Sequence, residues 1–395
     1  MSFLSTYHKS FAMDPHLFEE DYTERRHSGN AFLFKIPVGG PDSFFYYDKA
    51  VFALAISLSE KNAKLNELYR TLPPLGQEQL IQHLFLDDAQ ASNEIEGLPT
   101  TKEGLFTLLQ KKGRVDRFSL IVEEYSLLSQ HQVSSPKSLE EIRTLYDQLI
   151  GTEDAETPIE KPDGRLFRKG PVGIYGGLEL APIHRGILGE EAIGQALNEA
   201  LSIAKNPEID FFSRSALFHF FFETIHPFYD GNGRTGRFLL SIAYQEEAGA
   251  VAPFILSAAI RKHRPAYYRA FKEAEDQRNK GDATTFVCPF LKIIDSGYDD
   301  TLAYLQKKQN LAEQLRAKTS PFVKTAAEKR LMEALLEASV YGDFGLTVLA
   351  LSEAGKVGSA TVNRFLAKLK KNGVLWIRRF GKKDYFLFPS PNTSL

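Results

Sequence analysis

A chain of 395 residues with 43% hydrophobic and 25% charged side chains is too long for one ordinary domain and too apolar for wholesale disorder, so two or three packed domains are expected. A formal net charge of −2 leaves no global field to recruit nucleic acid or an acidic membrane, and any such binding must come from a local patch. The single cysteine, Cys288, excludes an internal disulfide and any metal site built from cysteine thiolates, and suits a reducing cytoplasm. The stretch MSFLSTYHKSFAMDPHLFEED lacks the basic head and apolar core of a secretory signal. No apolar run reaches the roughly 18 residues that cross a bilayer, so a cytoplasmic location without membrane association is expected.

Residues 1 to 45 carry Pro15, Pro37, Gly39, Gly40 and Pro41 and are expected to be loop-like. A helix is predicted from Tyr47 through Arg70, stopped before Pro73 and Pro74. A second covers 76–95 and closes at Gly97 with Pro99 beyond, the normal order at a helix end. Thr100 or Thr101 can cap a third over 102–113, and amphipathic helices are expected at 118–131 and 136–150. The glycine- and proline-rich stretch 162–186 has short β-prone runs and predicts a hairpin. Helices resume over 189–205, 210–225, 234–248 and much of 254–316. Towards the C-terminus, helical stretches at 325–338, 345–354 and 359–372 precede VLWIRRFGKKDYFLF, which predicts two strands around Gly381. Three helices and a hairpin are the layout of a winged helix-turn-helix.

The densest chemistry is HPFYDGNGRTGR, residues 226–237, which follows the apolar helix FFSRSALFHFFFETI. A Gly-Asn-Gly turn entering a helix aims several backbone N–H groups, and the positive end of the helix dipole, at one anion. Glycines at 231 and 233 permit close approach of a phosphate. Arg234 and Arg237 lie three apart, on one face of the first helical turn, and can hold further phosphate oxygens. Asp230 can hold Mg²⁺ against a polyphosphate, and His226 is placed to be a general base near neutral pH.

These twelve residues match the Fic motif HxFx(D/E)GNGRxxR at every fixed position, and the chain resembles that family over roughly residues 45–300. The resemblance implies a mainly α fold with a Fic-type helical core at 116–316 and a β-hairpin flap at about 168–184. An N-terminal helical region at 1–115 would carry an inhibitory motif, and a winged helix-turn-helix module would occupy 317–395. It implies transfer of AMP from ATP to a hydroxyl of a target protein, or of the chain itself. His226 would deprotonate that hydroxyl. Asp230 would hold Mg²⁺, Gly231, Asn232 and Gly233 would cradle the phosphates through their backbone, and Arg234 and Arg237 would neutralise the outer ones. The flap would dock the target's backbone by strand addition. His219, one face earlier on the same helix, has no chemistry in the motif and is expected to be structural, as is Cys288.

Ser92-Asn93-Glu94-Ile95-Glu96-Gly97 matches the family's inhibitory pattern (S/T)xxxE(G/N), upstream of the core. The match implies that Glu96 pairs with Arg237 and takes space that a γ-phosphate needs, while Glu94 is expected to be a solvated helix-end glutamate. In the last module Arg364, Lys368, Lys370, Lys371, Arg378, Arg379, Lys382 and Lys383 form a local basic patch. That patch leaves DNA binding, protein binding and homodimerisation open. Two other functions stay open beside adenylyl transfer: removal of AMP from a modified protein at the same site, and a DNA-binding regulator whose core only senses nucleotide.

Overall fold

A computed structural model of the chain describes residues 14–40, 42–110, 122, 125–150, 160–174 and 184–389. The fold is mainly helical, with small antiparallel hairpins. Helix α1 (Pro15–Arg26) and the hairpin of β1 (Ala31–Phe34) and β2 (Ser43–Tyr46) occupy the stretch expected to be a loop. The correction has a local cause. Pro15 stands at the first helical position, where its missing N–H costs nothing, and the Asp14 carboxylate caps the helix by accepting from His16 N and Leu17 N.

Helix α2 (Lys49–Thr71), capped by Asp48, ends before the proline pair, and Pro74 opens α3 (Pro74–Ile95). Glu96 caps the end of α3, and Gly97 turns the chain at φ +75°. Next come α4 (Lys102–Gln110), a helical stretch at 125–129, and α5 (Leu139–Ile150). Of the helix expected at 118–131, residues 118–121, 123 and 124 lie outside the described residues while 125–129 are helical, and α5 starts three residues later than expected. Strands β3 (Gly173–Ile174) and β4 (His184–Arg185) pair antiparallel where a hairpin was expected, although 175–183 lies outside the described residues.

Helices α6 (Glu190–Ala204), α7 (Phe211–Ile225) and α8 (Asn232–Ala248) follow. The stretch 254–316 is broken rather than continuous, into α9 (Leu256–Lys262), α10 (Arg264–Ala274) and the 36-residue α11 (Thr284–Thr319). Then come α12 (Ala326–Tyr341), α13 (Val348–Gly355), α14 (Ser359–Lys371) and the hairpin β5 (Trp376–Phe380) and β6 (Lys383–Leu387).

Helix α7 is buried on all sides: Phe212, Leu217, Phe220, Phe221 and Ile225 are in the core, which suits a helix without a polar face. One apolar cluster takes in Phe34, Leu58, Leu80, Phe106, Phe221 and Phe286, so residues from both sides of 115 share it. A second, smaller cluster is built from Leu335, Leu351, Phe365, Leu369 and Phe388 of the last helices and hairpin. The two meet along α3 and α4. There Phe106 stacks on Phe344 at 3.8 Å and meets Phe380 and Tyr385 edge-on. The N–H of Gly76 donates to Glu337 at 3.1 Å.

Candidate active site

The buried helix α7 ends at His226, which adopts the left-handed conformation at φ 53°, ψ 64°. A non-glycine residue in that region needs support from its surroundings. Arg168, fully buried, supplies it: Nε donates to the His226 carbonyl at 2.7 Å, Nη2 to the Ile225 carbonyl at 3.2 Å and Nη1 to the Gly170 carbonyl at 2.6 Å. The first two are the last carbonyls at the end of α7, which have no partner within the helix. The His226 Nδ1 lies 3.1 Å from the Glu223 carbonyl. A carbonyl only accepts, so Nδ1 carries the proton and Nε2 the lone pair.

The turn after His226 is braced by its own side chains. Asn232 accepts from the Phe228 N–H at 2.9 Å and donates to the Phe228 carbonyl at 2.8 Å. Its amide is a brace, and only its backbone is available to an anion. Phe228 is buried against Tyr146, with centroids 3.6 Å apart. Gly231 sits at φ 79°, and a Cβ there would lie 2.9 Å from Ile150, so both backbone and space call for glycine. Helix α8 starts immediately afterwards and directs its first N–H groups at the same point.

Asp230 stands at the mouth with its side chain 57% exposed. One oxygen accepts from the Gly231 N–H at 2.6 Å, and Arg234 lies 4.0 Å away. Among the described residues no cluster of three or more metal-binding side chains occurs. A lone exposed carboxylate fits Mg²⁺, which keeps most of its ligands as water and phosphate.

Arg237 is 1% exposed and fully engaged by α3 and its cap. Its Nη2 donates to Glu96 Oε1 at 2.7 Å and to the Ser92 carbonyl at 3.0 Å, and its Nε to Ser92 Oγ at 3.1 Å. Burial alone would raise the Glu96 carboxyl, but Arg237, helped by Arg234 and His226, holds it below the ordinary glutamate range. A Cβ on Gly233 would collide with Glu96 Oε1, so the carboxylate lies directly over the glycine of the anion-binding turn. Gly97 gives the chain its left-handed exit just after Glu96.

Other expectations are placed as follows. His219 is buried among aromatic rings, bonded to Tyr267 at 2.8 Å, and burial pushes its imidazole down to about 3. Cys288 is buried. Glu94 is not a solvated glutamate: it pairs with Arg261 at 2.9 Å, and Gln90 donates to it at 2.8 Å. Lys368 is withdrawn from the basic patch by Glu328, 2.7 Å away, and by the Phe322 carbonyl, whereas Arg364, Lys370, Lys371, Arg378, Arg379, Lys382 and Lys383 stay exposed.

Three groups escaped the sequence reading. Arg168 is one. Tyr229 is another: its hydroxyl accepts from the Gly170 N–H and donates to Asp163, both at 2.9 Å, tying the turn to the foot of the hairpin. The third is Glu223, half-buried one turn before His226, where desolvation pushes its carboxyl up to about 8 despite Arg237 nearby. The far foot of the hairpin returns to the same place, since the Ile187 N–H donates to the Ile225 carbonyl at 3.1 Å.

A buried helix, a braced glycine turn and a second helix with two arginines bring together groups that can hold a phosphate, with a histidine at their edge. Residues 136–244 match the model of the Fic/DOC family. It is 28% identical over 269 residues to a protein adenylyltransferase Fic of Drosophila virilis, covering 66% of this chain and 50% of that protein. The chain thus spans about half the length of the first curated relatives it matches. Over a shorter stretch of 68 residues, 17% of this chain and 19% of the relative, it is 44% identical to a probable protein adenylyltransferase of Aquifex aeolicus. In fold it is similar to a Fic family protein from Desulfovibrio desulfuricans, with a TM-score of 0.54 and 19% identity, covering 88% of this chain and 98% of that one.

Proposed function

We propose that this chain is a protein adenylyltransferase that moves AMP from ATP to a hydroxyl side chain, and that Glu96 holds it back. The observation that carries the reading is the convergence at one point of His226, the start of α8 and an Arg237 already gripped by a carboxylate.

His226 takes the hydroxyl proton on Nε2, its tautomer set by the Glu223 carbonyl. The hydroxyl oxygen forms a bond to the α-phosphorus as the bond to the β-phosphate oxygen breaks, and pyrophosphate leaves. The N–H groups at the start of α8 hold the phosphates, with Arg234 beside them. Asp230 would hold Mg²⁺, which when bound offsets charge on the α- and β-phosphates. Arg237 belongs on the outer phosphate and reaches it only after releasing Glu96. The paired strands at 173–174 and 184–185 offer an edge for the backbone of the target. The exposed cations of the last module leave a face for a nucleic-acid duplex or an acidic protein.

The test is incubation with α-labelled ATP and a cell lysate, comparing wild type with Glu96→Gly. Label on the chain or on a lysate protein, stronger in the variant, is expected. No label from either protein rejects the transferase reading. Release of AMP from a pre-labelled target without ATP assigns the reverse reaction instead.

A further inference from the structure

A cavity of about 270 Å³ lies at the seam between the C-terminal helices and hairpin and the rest of the protein, remote from His226. Its walls come from α4, α11, the end of α12 and the hairpin β5–β6. Lys102, Lys308 and Arg378 bring three cations to it, and Trp376 gives it an aromatic wall. Two carboxylates, Glu103 and Asp343, also line it. Asp343 is already committed. His83 Nδ1 lies 2.7 Å from it and Lys102 Nζ 3.0 Å, and together they hold its carboxyl well below the usual range despite burial. Glu103 is exposed.

Among the described residues the other two cations have no such carboxylate partners. There Arg378 donates to a backbone carbonyl, that of Asp343, at 3.2 Å. Among the described residues no carboxylate lies within ion-pair distance of Lys308, whose ammonium sits 5.0 Å from the centroid of the Tyr304 ring. Burial holds that ammonium below the ordinary lysine range. A partly desolvated cation that has a ring face beside it and Asp343 acting only from beyond ion-pair distance gains from an added anion.

We propose that this cavity binds a compact organic anion, with a phosphate or carboxylate head on Lys308 and Arg378 and an apolar body against Trp376. Its volume of about 270 Å³ falls just below the roughly 300–1,000 Å³ range of ligand sites, which suits a small metabolite. The site is also an effector site for α3. Lys102 spans from Asp343 to Asp87 of α3, 2.7 Å away, and the same helix carries Ser92 and, at its cap, Glu96. An anion that competes for Lys102 changes how α3 is held against α12. This coupling concerns the helix itself and does not depend on the reaction catalysed.

Trp376 is the single tryptophan of the chain, so its fluorescence reports on the cavity directly. The full chain is titrated with phenyl phosphate, benzoate and inorganic phosphate, and amide hydrogen exchange over 92–98 is followed at saturation. A saturable change is expected with phenyl phosphate or benzoate at roughly millimolar concentration or below, weakened about tenfold or more in Lys308→Met. Arg378→Gln, at an exposed position, should weaken it in the same direction and guards against misfolding of the first variant. Exchange over 92–98 should shift on saturation. No saturable change with any probe, or binding that is equal in both variants, overturns the site. Inorganic phosphate matching phenyl phosphate overturns the apolar subsite. Binding without altered exchange overturns the effector role.

Discussion

Replacing Glu96 by glycine should raise turnover about a hundredfold, and the geometry of its pair with Arg237 sets that figure. The pair is close, at 2.7 Å between Nη2 and Oε1, with the arginine 1% and the glutamate side chain 30% exposed. Unit charges about 4 Å apart at an effective dielectric near 20 attract by about 4 kcal/mol, part of which desolvation takes back. A γ-phosphate must displace that carboxylate from above Gly233 or bind elsewhere, leaving the α-phosphate badly angled for in-line attack. Misplacement of this kind costs about 10²-fold, or roughly 2.7 kcal/mol in the barrier. In the proposed scheme what remains of that attraction is what an incoming γ-phosphate has to compete with. The assay is label transfer from α-labelled ATP, with kcat and KM determined separately for wild type, Glu96→Gly, Glu96→Gln, Arg237→Ala and the double variant Glu96→Gly with Arg237→Ala. The gain should appear in kcat. Glu96→Gln keeps the volume over Gly233 without the charge and should gain less. The double variant should gain nothing, because the freed guanidinium is then gone. Equal rates for wild type and Glu96→Gly, or a gain that survives loss of Arg237, would refute the reasoning.

Further outcomes follow from the same geometry. His226→Ala should lower transfer about 10²–10⁴-fold while calorimetry shows ATP binding retained; near-full activity removes the histidine from the base role. Ser92→Ala removes one of the hydrogen bonds that restrain Arg237 but leaves the one to the Ser92 carbonyl, so turnover should rise by no more than about fivefold. Because Arg237 holds the Glu96 carboxyl below the ordinary glutamate range, mild acid cannot neutralise it, and a rate profile from pH 7 down to about 5 should show no acid activation. A rise that Glu96→Gln abolishes would contradict the assigned ionisation. Lys370→Gln with Lys371→Gln should leave transfer unchanged and flatten the salt dependence of any duplex binding, as electrophoretic shifts at several salt concentrations would show. Loss of transfer would instead place the last module in the catalytic machinery.

What was legible in the sequence was whatever lay contiguous in it. Residues 226–237 name a turn and the start of a helix, and both stand where the pattern put them, whereas Glu96 opposite Arg237, 141 residues away, was legible only through the resemblance to a known motif. Arg168 was not legible, because its meeting with His226 joins residues 58 apart through a fold that no local pattern encodes. Glu223 lies inside an apolar helix, and only burial beside Arg237 makes its ionisation unusual. In the stretch 14–46 Pro15 and the glycines near 40 read as breakers, yet the Asp14 cap makes Pro15 a starting residue of a helix. Lys368 and Glu94 show the same limit from the other side. Charge and periodicity put them on a surface, and only the neighbours brought by folding, Glu328 and Arg261, draw them into pairs.

The grip of Glu96 on Arg237 also has a meaning for folding. A guanidinium buried inside a protein needs an anion at all times, and breaking a buried pair by removing one partner costs about 3–5 kcal/mol, against a typical total of about 5–15. In the proposed scheme Glu96 is that anion while nucleotide is absent, and the outer phosphate takes over when nucleotide binds. The inhibitor is therefore also part of the scaffold. A chain without it should be short of a counter-ion and come to lean on ATP for its thermal stability. Glu223 is the nearest reserve. It is held neutral by burial, with the charge on Glu96 helping to keep its proton on, and removing Glu96 makes that proton easier to lose beside Arg237. Under that scheme a variant without Glu96 would lose a structural counter-ion as well as a restraint, so the proposed inhibitory role and a scaffold role fall on the same carboxylate.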